Sequence, residues 1–345
     1  MISLIVPFYN SEKDIGLCLD SIDAALKNTS EDVEVIFVND GSLDRSSELV
    51  DSFVNDLFKN SELRTKTIRQ ENGGLSDARN TGIKAANREF VGFLDADDTI
   101  SEHYFSNICK LLKAYEYKNS KSIDILEFAM GSFVGTKGQI RQVDDIVRQD
   151  FCDEVLSMRN YHDIIRIFRE SNWFAQKRVY KKYLFKDNKF PKGLNFEDIA
   201  TIPLIFLEAE TVYRSPEKLM WYQINPHGIT QSPSISDSNS LAITLQKYFS
   251  LASRQDERCE LYLLVVISTL NSLFHVNRKV YGKIRGVFTL RLQTLSLIDS
   301  PLSAYLLLRA LRISSGETRS SAFFPELNVT IGAIRKIRGW FNVKS

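Results

Sequence analysis

Short apolar runs alternate with segments of helical periodicity over the first hundred residues. β-branched and aromatic residues concentrate in four runs that we predict to be strands: Ile2–Val6, Val33–Val38, Thr65–Arg69 and Phe90–Leu94. Between and after them, apolar residues recur every three or four positions, which predicts helices. These helices are expected to open at Ser11, Ser42, Leu75 and Ser101. Strand–helix alternation at this spacing predicts a parallel sheet with helices on both faces.

The pattern becomes mixed after residue 120 and helical after residue 240. We predict, in chain order, a strand over Ile123–Met130, a helix over 151–170, a helix from Glu197 to Leu207, and short strands at Thr211–Tyr213 and Leu219–Gln223. Gln231–Ser240 is rich in Ser, Pro, Asp and Asn and is predicted to be a linker. Helices are then expected over 241–253, 258–276, 280–298, 301–313 and 330–342. We predict an α/β domain over 1–232, with halves 1–98 and 99–232, followed by a helical region over 233–345.

Composition narrows the class of protein. The 345 residues are 43% hydrophobic and 25% charged, which is typical of a globular protein and argues against broad disorder. The net charge of +1 predicts no nucleic-acid or other polyanion partner. The four cysteines form no CxxC pair, and residues 1–6 lack a basic leader segment, so we expect a reduced, cytoplasmic location.

The small net charge hides an asymmetry along the chain. Residues 276–345 carry a charge of +9, and the first 275 residues carry −8. Within 330–342, Ile331, Ile334, Ile337 and Phe341 fall on one helical face. A basic amphipathic helix of this kind predicts attachment to an anionic membrane surface, at the inner face of the cell membrane. The alternative is that these helices pack on the catalytic domain and leave a solvated basic face.

Each predicted strand of the first hundred residues is followed by a polar or glycine-containing tetrad. The four tetrads are Pro7–Asn10, Asn39–Ser42, Glu71–Gly74 and Asp95–Asp98. Each alone is an ordinary turn sequence. Ligands of open parallel sheets bind beyond the carboxyl ends of the strands, so four such ends on one rim predict a binding site. No GxGxxG follows the first strand, which argues against a dinucleotide-binding domain.

Asp95-Ala96-Asp97 is the sharpest of these features. Two carboxylates two positions apart after a strand can converge on one side of a turn. Mg²⁺ typically takes one or two carboxylates together with substrate phosphates, and a cation would relieve the repulsion between the acids. The alternative is a solvated acidic loop that precedes the helix at Ser101.

The tetrads and their neighbours resemble family 2 glycosyltransferases of the GT-A fold, in the order and at the spacing of that family. The resemblance rests on Ser3–Asn10, Val38–Asp44, Asn72–Asn80, Phe93–Asp98, Phe190–Gly193, Phe196–Asp198 and Gly228–Thr230. It covers about residues 1–232 and implies a Rossmann-like, mostly parallel sheet flanked by helices.

The resemblance also implies roles for individual residues. Pro7, Tyr9 and Asn10 would form the floor of a nucleotide pocket, and Asp40 would accept a hydrogen bond from uracil. Arg79 would lie near the donor diphosphate, and Asp95 with its neighbour Ala96 near the ribose or the metal. Asp97 would be the direct Mn²⁺ or Mg²⁺ ligand. Asp198 would be the general base; helical spacing alone leaves the choice between Glu197 and Asp198 open.

Together these features lead us to expect an inverting, metal-dependent glycosyltransferase. Its donor would be a nucleotide sugar, most simply a UDP-sugar, and its acceptor a hydroxyl of a cell-surface glycan or lipid-linked oligosaccharide. The run Gln176–Tyr180, with Trp173 before it, departs from the family pattern in a region that would border the acceptor. His227 would be either a surface residue or a metal ligand. The alternatives are a sugar-nucleotide nucleotidyltransferase and a non-catalytic scaffold of the same fold.

Overall fold

The chain was described with a computed structural model, which covers residues 1–60, 65–135, 141–143, 152–170, 172–226, 228–253 and 259–295. Two compact units divide the chain: Met1–Ile164 with Asn172–Pro226, and Ile165–Ser171 with His227–Ser345. The predicted boundary at residue 232 stays a prediction. The basic helices expected over 301–313 and 330–342 lie outside the described residues.

The first unit contains the sheet and most of its helices. In chain order its elements are β1 (Ile2–Phe8), α1 (Ile15–Lys27), β2 (Val33–Asn39), α2 (Ser46–Asn60), β3 (Thr65–Arg69), α3 (Leu75–Ala85), β4 (Phe90–Phe93), β5 (Thr99–Ile100), α4 (Tyr104–Asn119), β6 (Ile125–Val134), β7 (Arg141–Val143), β8 (Glu154–Ser157), α5 (Tyr161–Glu170), which continues into the second unit, β9 (Arg178–Lys181), α6 (Glu197–Glu208) and β10 (Thr211–Gln223). The rest of the described second unit is helical: α7 (Ile235–Ala252) and α8 (Cys259–Leu295), which is broken at Gly282.

The strands of the described part form one sheet in the order β3-β2-β1-β4-β9-β6-β10-β5, with β7 beside β6 and β8 beside β10. The first four strands are parallel, as the strand–helix alternation predicted. β9 then runs antiparallel between β4 and β6. The fold is therefore the α/β sheet flanked by helices that the resemblance implied, with a mixed second half.

Central position in the sheet explains why β1 and β2 are apolar without alternation. All seven residues of each strand are buried, because helices cover both faces. The predicted inner face of α1 is confirmed, since Ile15, Leu19, Ile22 and Leu26 are all buried. None of the described helices has an apolar stretch long enough to cross a membrane.

Several predicted boundaries are wrong. The segment 151–170 was expected to be one helix, but its first part is β8, which pairs with β10. The linker expected over Gln231–Ser240 already contains the start of α7. There the side chains and backbone of Ser234 and Asp237 form a capping box, a local signal that the polar composition concealed.

Ser11 and Ser101 lie in the turns that open α1 and α4, whereas Ser42 serves a neighbouring loop. α1 begins at Ile15 and α2 at Ser46, a few residues after Ser11 and Ser42. The hydroxyl of Ser42 accepts a hydrogen bond from the backbone N–H of Asn10 (3.1 Å), so it joins the β1 and β2 loops. These two loops form one edge of the site described next.

Candidate active site

A cleft of about 500 Å³ lies at the carboxyl ends of β1, β2 and β4. Parallel strands in the order β2-β1-β4 bring the loops that follow them to the same rim, and the N-terminus of α3 completes the wall. Most of the predicted binding residues line this cleft: Pro7, Tyr9, Asn10, Asp40, Asp95, Ala96 and Asp97.

The loop after β1 is held open by polar contacts. Asn10 has a positive φ of 48°, a conformation that asparagine tolerates better than most residues. Its side-chain oxygen accepts a hydrogen bond from the backbone N–H of Leu43 (2.8 Å). Tyr9 is 47% exposed beside it. An aromatic ring left exposed on a rigid loop can stack against a planar ligand group.

Asp40 braces the glycine loop that precedes α3. Its Oδ1 accepts from the Gln70 amide (2.7 Å) and from Gly73 N–H (2.9 Å), and its Oδ2 accepts from Gly74 N–H (2.8 Å). Gly74 has a φ of 83°, so the chain turns sharply there to start the helix. Asp40 is only 3% exposed but lines the cleft. The structure thus adds a bracing contribution to the uracil-binding role that was predicted.

Replacing Asp40 by asparagine should destabilise the protein by about 1–3 kcal/mol, because one charged acceptor is replaced by a donor that faces backbone N–H groups. Binding of UDP should weaken at the same time, since the glycine loop forms part of the cleft wall. Thermal unfolding and calorimetric titration with UDP measure the two effects. Asp187→Asn, at an exposed site remote from the cleft, is the control. An Asp40 variant as stable as this control would contradict the bracing role.

The acids after β4 occupy three different environments. Asp95 lies between Arg79 and Gln176: its Oδ1 accepts from the Arg79 guanidinium (2.9 Å) and its Oδ2 from the Gln176 amide. Asp98 is fully buried, and its Oδ1 accepts from Gln223 N–H of β10 (2.9 Å). Burial, together with Asp97 and Asp95, raises the pKa of Asp98 well above its usual range. Asp98 is therefore a structural carboxyl.

Asp97 is the carboxylate that remains available to a ligand. Its side chain makes no hydrogen bond or ion pair with another residue of the described part, and it lines the cleft. Burial first, and then the nearby charge of Asp95, raise the pKa of Asp97 to about 7. An unpartnered carboxylate beside a second one carries a repulsion that a hard divalent cation would relieve.

The residues present therefore fit a cation held mainly by oxygen atoms. The described part of the chain contains no cluster of three or more His, Cys, Asp or Glu side chains suited to a metal ion. A cation held by Asp97 and Asp95 would thus need ligands from substrate phosphates and water, as Mg²⁺ usually does. His227 lies outside the described residues.

Arg79 does not line the cleft; it is a buried hub. Its guanidinium is 0% exposed and donates to Glu197 (2.6 Å), Asp198 (2.7 Å) and Asp95 (2.9 Å). It also lies 5.3 Å from the ring centroid of Phe190. Burial by itself favours the neutral form, but the three carboxylates raise the pKa of Arg79, so the guanidinium stays charged. The predicted diphosphate contact is replaced here by contacts that hold three acids together.

The two acids at the start of α6 meet on this hub. Both lie in the first turn of the helix, where the helix dipole favours negative charge. Asp198 Oδ2 also accepts from the backbone N–H of Ala175 (3.0 Å). Burial raises the pKa of Asp198, and Arg79 opposes that rise. Burial and then the charge of Asp198 raise the pKa of Glu197 to about 7.

A second buried charge cluster supports the segment 172–178 from behind. Glu127 on β6 contacts Lys177 (2.9 Å), Arg178 (2.6 Å) and Arg214 (2.9 Å), and all four side chains are buried. Burial would raise the pKa of Glu127, but the three cations lower it to about 2. This cluster was not predicted, because Lys177 and Arg178 lie outside the predicted strands and Glu127 precedes Arg178 by 51 residues. An acid inside the apolar run Ile123–Met130 was a local signal of a buried, paired charge.

The cluster positions residues that reach the candidate site. Ala175 and Gln176, which contact Asp198 and Asp95, directly precede Lys177 and Arg178. Trp173, predicted to border an acceptor, is instead buried against Phe206 (ring centroids 5.5 Å apart). The departure from the family pattern at 173–180 thus belongs to the support of the acids.

The sequence is similar to a protein-family model and to several known proteins. Residues 3–123 match the family model described as "Glycosyl transferase family 2". The "Uncharacterized glycosyltransferase EpsJ" of Bacillus subtilis is 33% identical over 242 residues, which is 68% of this chain and 64% of that protein. "Glycosyltransferase GlyG" of Streptococcus pneumoniae is 28% identical over 232 residues, covering 65% of this chain and 70% of GlyG. The chain thus spans less than two thirds of EpsJ.

The fold is also that of a solved structure. The structure of residues 1–349 of S. aureus TarS has a TM-score of 0.62 and 21% identity, covering 91% of this chain and 86% of TarS 1–349. A second structure of that protein, in complex with UDP-GlcNAc, gives a TM-score of 0.55 with 20% identity over 85% of this chain and 87% of that one. At this identity the likeness concerns the fold.

Proposed function

We propose, from the match of residues 3–123 to the model "Glycosyl transferase family 2", that the protein transfers a sugar from a nucleotide sugar to a hydroxyl group, with inversion at the anomeric carbon. The observation that carries the proposal is the placement of two kinds of acid. Asp97 lies in a cleft at the rim of the sheet, and Asp198 lies on the same Arg79 hub as the neighbouring Asp95.

The donor proposed is a UDP-sugar. Tyr9 offers an exposed ring, and Asp40 offers carboxylate lone pairs next to the glycine loop, which suits a base with an imide N–H. The cleft of about 500 Å³ has the size of an ordinary small-molecule site. In TarS, which shares the fold, a structure holds UDP-GlcNAc.

Asp97 and Asp95 would hold Mn²⁺ or Mg²⁺, and that cation would neutralise charge on the leaving diphosphate. Asp198 would accept the proton of the acceptor hydroxyl as its oxygen attacks the anomeric carbon. Its raised pKa suits this task, because a base works best when its pKa approaches the working pH. Arg79 keeps the carboxylates in register without contacting substrate.

The acceptor proposed is a growing cell-envelope glycan or a lipid-linked oligosaccharide, handled at the cytoplasmic face of the membrane. Relatives of a part of this chain include the "Minor teichoic acid biosynthesis protein GgaA" of Bacillus subtilis, 34% identical over 121 residues. The basic residues of 276–345 would supply attachment to anionic lipids.

A panel of nucleotide sugars incubated with the protein and Mn²⁺ tests the proposal. We expect slow, metal-dependent release of UDP from one UDP-sugar and no release of sugar 1-phosphate or pyrophosphate. Formation of a nucleotide sugar from a sugar 1-phosphate would identify a nucleotidyltransferase instead. If the protein neither cleaves nor binds any donor, the interpretation as a non-catalytic scaffold would remain.

Replacing Asp97 by asparagine should stabilise the metal-free protein at pH 8 and change little at pH 5. A carboxyl whose pKa is raised to about 7 by folding loses stability as the pH rises from about 4 to 7, because the unfolded chain releases the proton more readily. The variant lacks this loss, so we expect a gain on the order of 2 kcal/mol at pH 8.

Thermal unfolding at both pH values, with and without Mn²⁺, measures this effect. Mn²⁺ should raise the melting temperature of the original protein at pH 8, but not that of Asp97→Asn, because the variant lacks the deprotonated carboxylate that binds the metal. Equal stabilisation of both proteins by Mn²⁺ would remove Asp97 from the metal site.

A further inference from the structure

A second, larger cavity lies outside the candidate active site. It is a groove of about 1030 Å³, with one wall formed by α3 and the loop after it, and the other by β9 and the segment up to residue 192. Seven basic and two acidic side chains line it. The net charge of the whole chain is close to zero and therefore does not reveal this local concentration of basic side chains.

The two acids of the groove are already paired with its lysines. Asp77 contacts Lys192 (2.6 Å), and Glu89 lies 3.8 Å from Lys181. Three exposed lysines make no ion pair with any residue that the structure describes: Lys84, Lys186 and Lys189. The groove therefore keeps an uncompensated positive charge on both walls.

The base of the groove is apolar. Ile83 and Phe185 line it and are largely buried, and Tyr183 exposes 55% of its surface at the side. Apolar and aromatic groups between lysines suit the carbon backbone of a sugar or polyol, whereas the lysines suit the anions attached to it. A concave groove with cations on two facing walls fits an extended chain better than it fits a flat lipid surface.

The groove and the cleft share the same helix. Leu75 and Ala78 of α3 line the cleft, and Asp77 and Lys84 line the groove; at about 100° per residue these two pairs lie on largely opposite faces of the helix. Asn80 ties the two walls together through a pair of hydrogen bonds with the backbone of Phe190 (2.8 and 3.1 Å). The ring of Phe190 in turn contacts the Arg79 guanidinium that holds the acids. The groove and the cleft are therefore separate sites that share one helix.

We propose that this groove binds a flexible chain carrying repeated phosphate diesters. Lys84, Lys186 and Lys189 contact the phosphates, and the apolar base contacts the carbon chain between them.

A triple charge reversal, Lys84→Glu with Lys186→Glu and Lys189→Glu, tests the groove. The probe is short inorganic polyphosphate, with binding measured by calorimetry, and neutral dextran is the uncharged comparison. Affinity of the original protein should fall roughly 20-fold between about 50 and about 200 mM monovalent salt if three phosphates are neutralised. The triple variant should bind polyphosphate at least about tenfold more weakly at low salt.

A matched control changes the same charge elsewhere: Lys110→Glu with Lys118→Glu and Lys121→Glu, three exposed lysines on or just after α4. This control should bind polyphosphate within about twofold of the original protein. The neutral variant, Lys84→Gln with Lys186→Gln and Lys189→Gln, should show an intermediate loss of polyphosphate binding. All three triple variants should keep the original melting temperature. Equal weakening by the groove variant and the control, or no polyphosphate binding by the original protein, would overturn the proposal.

Two further measurements separate the possible failures. Pelleting with anionic vesicles that depends on the three lysines, without lysine-dependent polyphosphate binding, would show a membrane-docking surface and overturn the proposal. Metal-dependent UDP release from the donor should be the same in the original protein and in all three triple variants. Absence of that release in the original protein would count against the glycosyltransferase proposal, whereas lysine-dependent polyphosphate binding would still support the groove.

Discussion

Asp198→Asn should reduce sugar transfer by at least about 100-fold, the contribution expected of a general base, while UDP affinity stays within about twofold. The substitution keeps the shape of the side chain and removes its ability to take a proton. An amide oxygen can still accept from Arg79, so we expect the hub to persist, while the second contact, from the Ala175 N–H, is lost. Initial rates of transfer and calorimetric titration with UDP and Mn²⁺ provide the two readouts.

Glu197→Gln is the matched variant for this experiment, because Glu197 contacts the same guanidinium and also has a raised pKa. It should lower transfer far less than Asp198→Asn. The original protein should lose transfer toward acidic pH as the base becomes protonated. A loss below about tenfold in the Asp198 variant, with a large loss in the Glu197 variant, would transfer the role of base to Glu197.

Arg79→Ala should have the largest effect on stability, on the order of 3–5 kcal/mol, because it leaves three partly or fully buried carboxylates without their shared cation. Asp95, Glu197 and Asp198 would then repel one another, and protonation of one or more of them would reduce this repulsion. Stability of the variant should therefore improve as the pH is lowered from 8 to about 6. Urea unfolding at both pH values measures the effect.

Arg79→Lys separates charge from geometry at the same position. Lysine keeps a positive charge but cannot reproduce the fork that reaches three carboxylates at once, so it should recover stability only in part and transfer hardly at all. Arg45→Ala, at an exposed guanidinium that pairs with Glu48 alone among the described residues, is the control and should change stability by less than about 1 kcal/mol. An Arg79→Ala protein as stable as this control would contradict the hub.

Local patterns were sufficient for the first half of the fold. The strands of the first hundred residues and the inner face of α1 follow from runs of β-branched residues and from helical periodicity. These signals are strong because the central strands are buried on both faces and tolerate few polar residues. β9 was missed because it is only four residues long, and half of its sequence Arg178–Lys181 is charged.

Errors arose where distant contacts override local preference. Glu154–Ser157 joins the sheet through its pairing with β10, although the surrounding sequence is compatible with a helix. The run Thr211–Gln223 is one long strand with two irregularities in its pairing to β6, and not two short strands. Pairing partners more than 50 residues away decide both cases, and a local window contains no information about them.

The sequence by itself determined which residues lie at the rim of the sheet. The order of the tetrads after the strands identifies Pro7, Tyr9, Asn10, Asp40 and the acids of 95–97, and all of them line the cleft. Tertiary structure decided what each side chain is free to do. The guanidinium of Arg79 donates hydrogen bonds to three carboxylates. Asp40 also braces a glycine loop, whereas the carboxylate of Asp97 stays available to a ligand. The reason is physical. A strand end fixes where a residue stands, but burial and the charges brought beside it from other parts of the chain fix its protonation and its remaining hydrogen-bonding capacity.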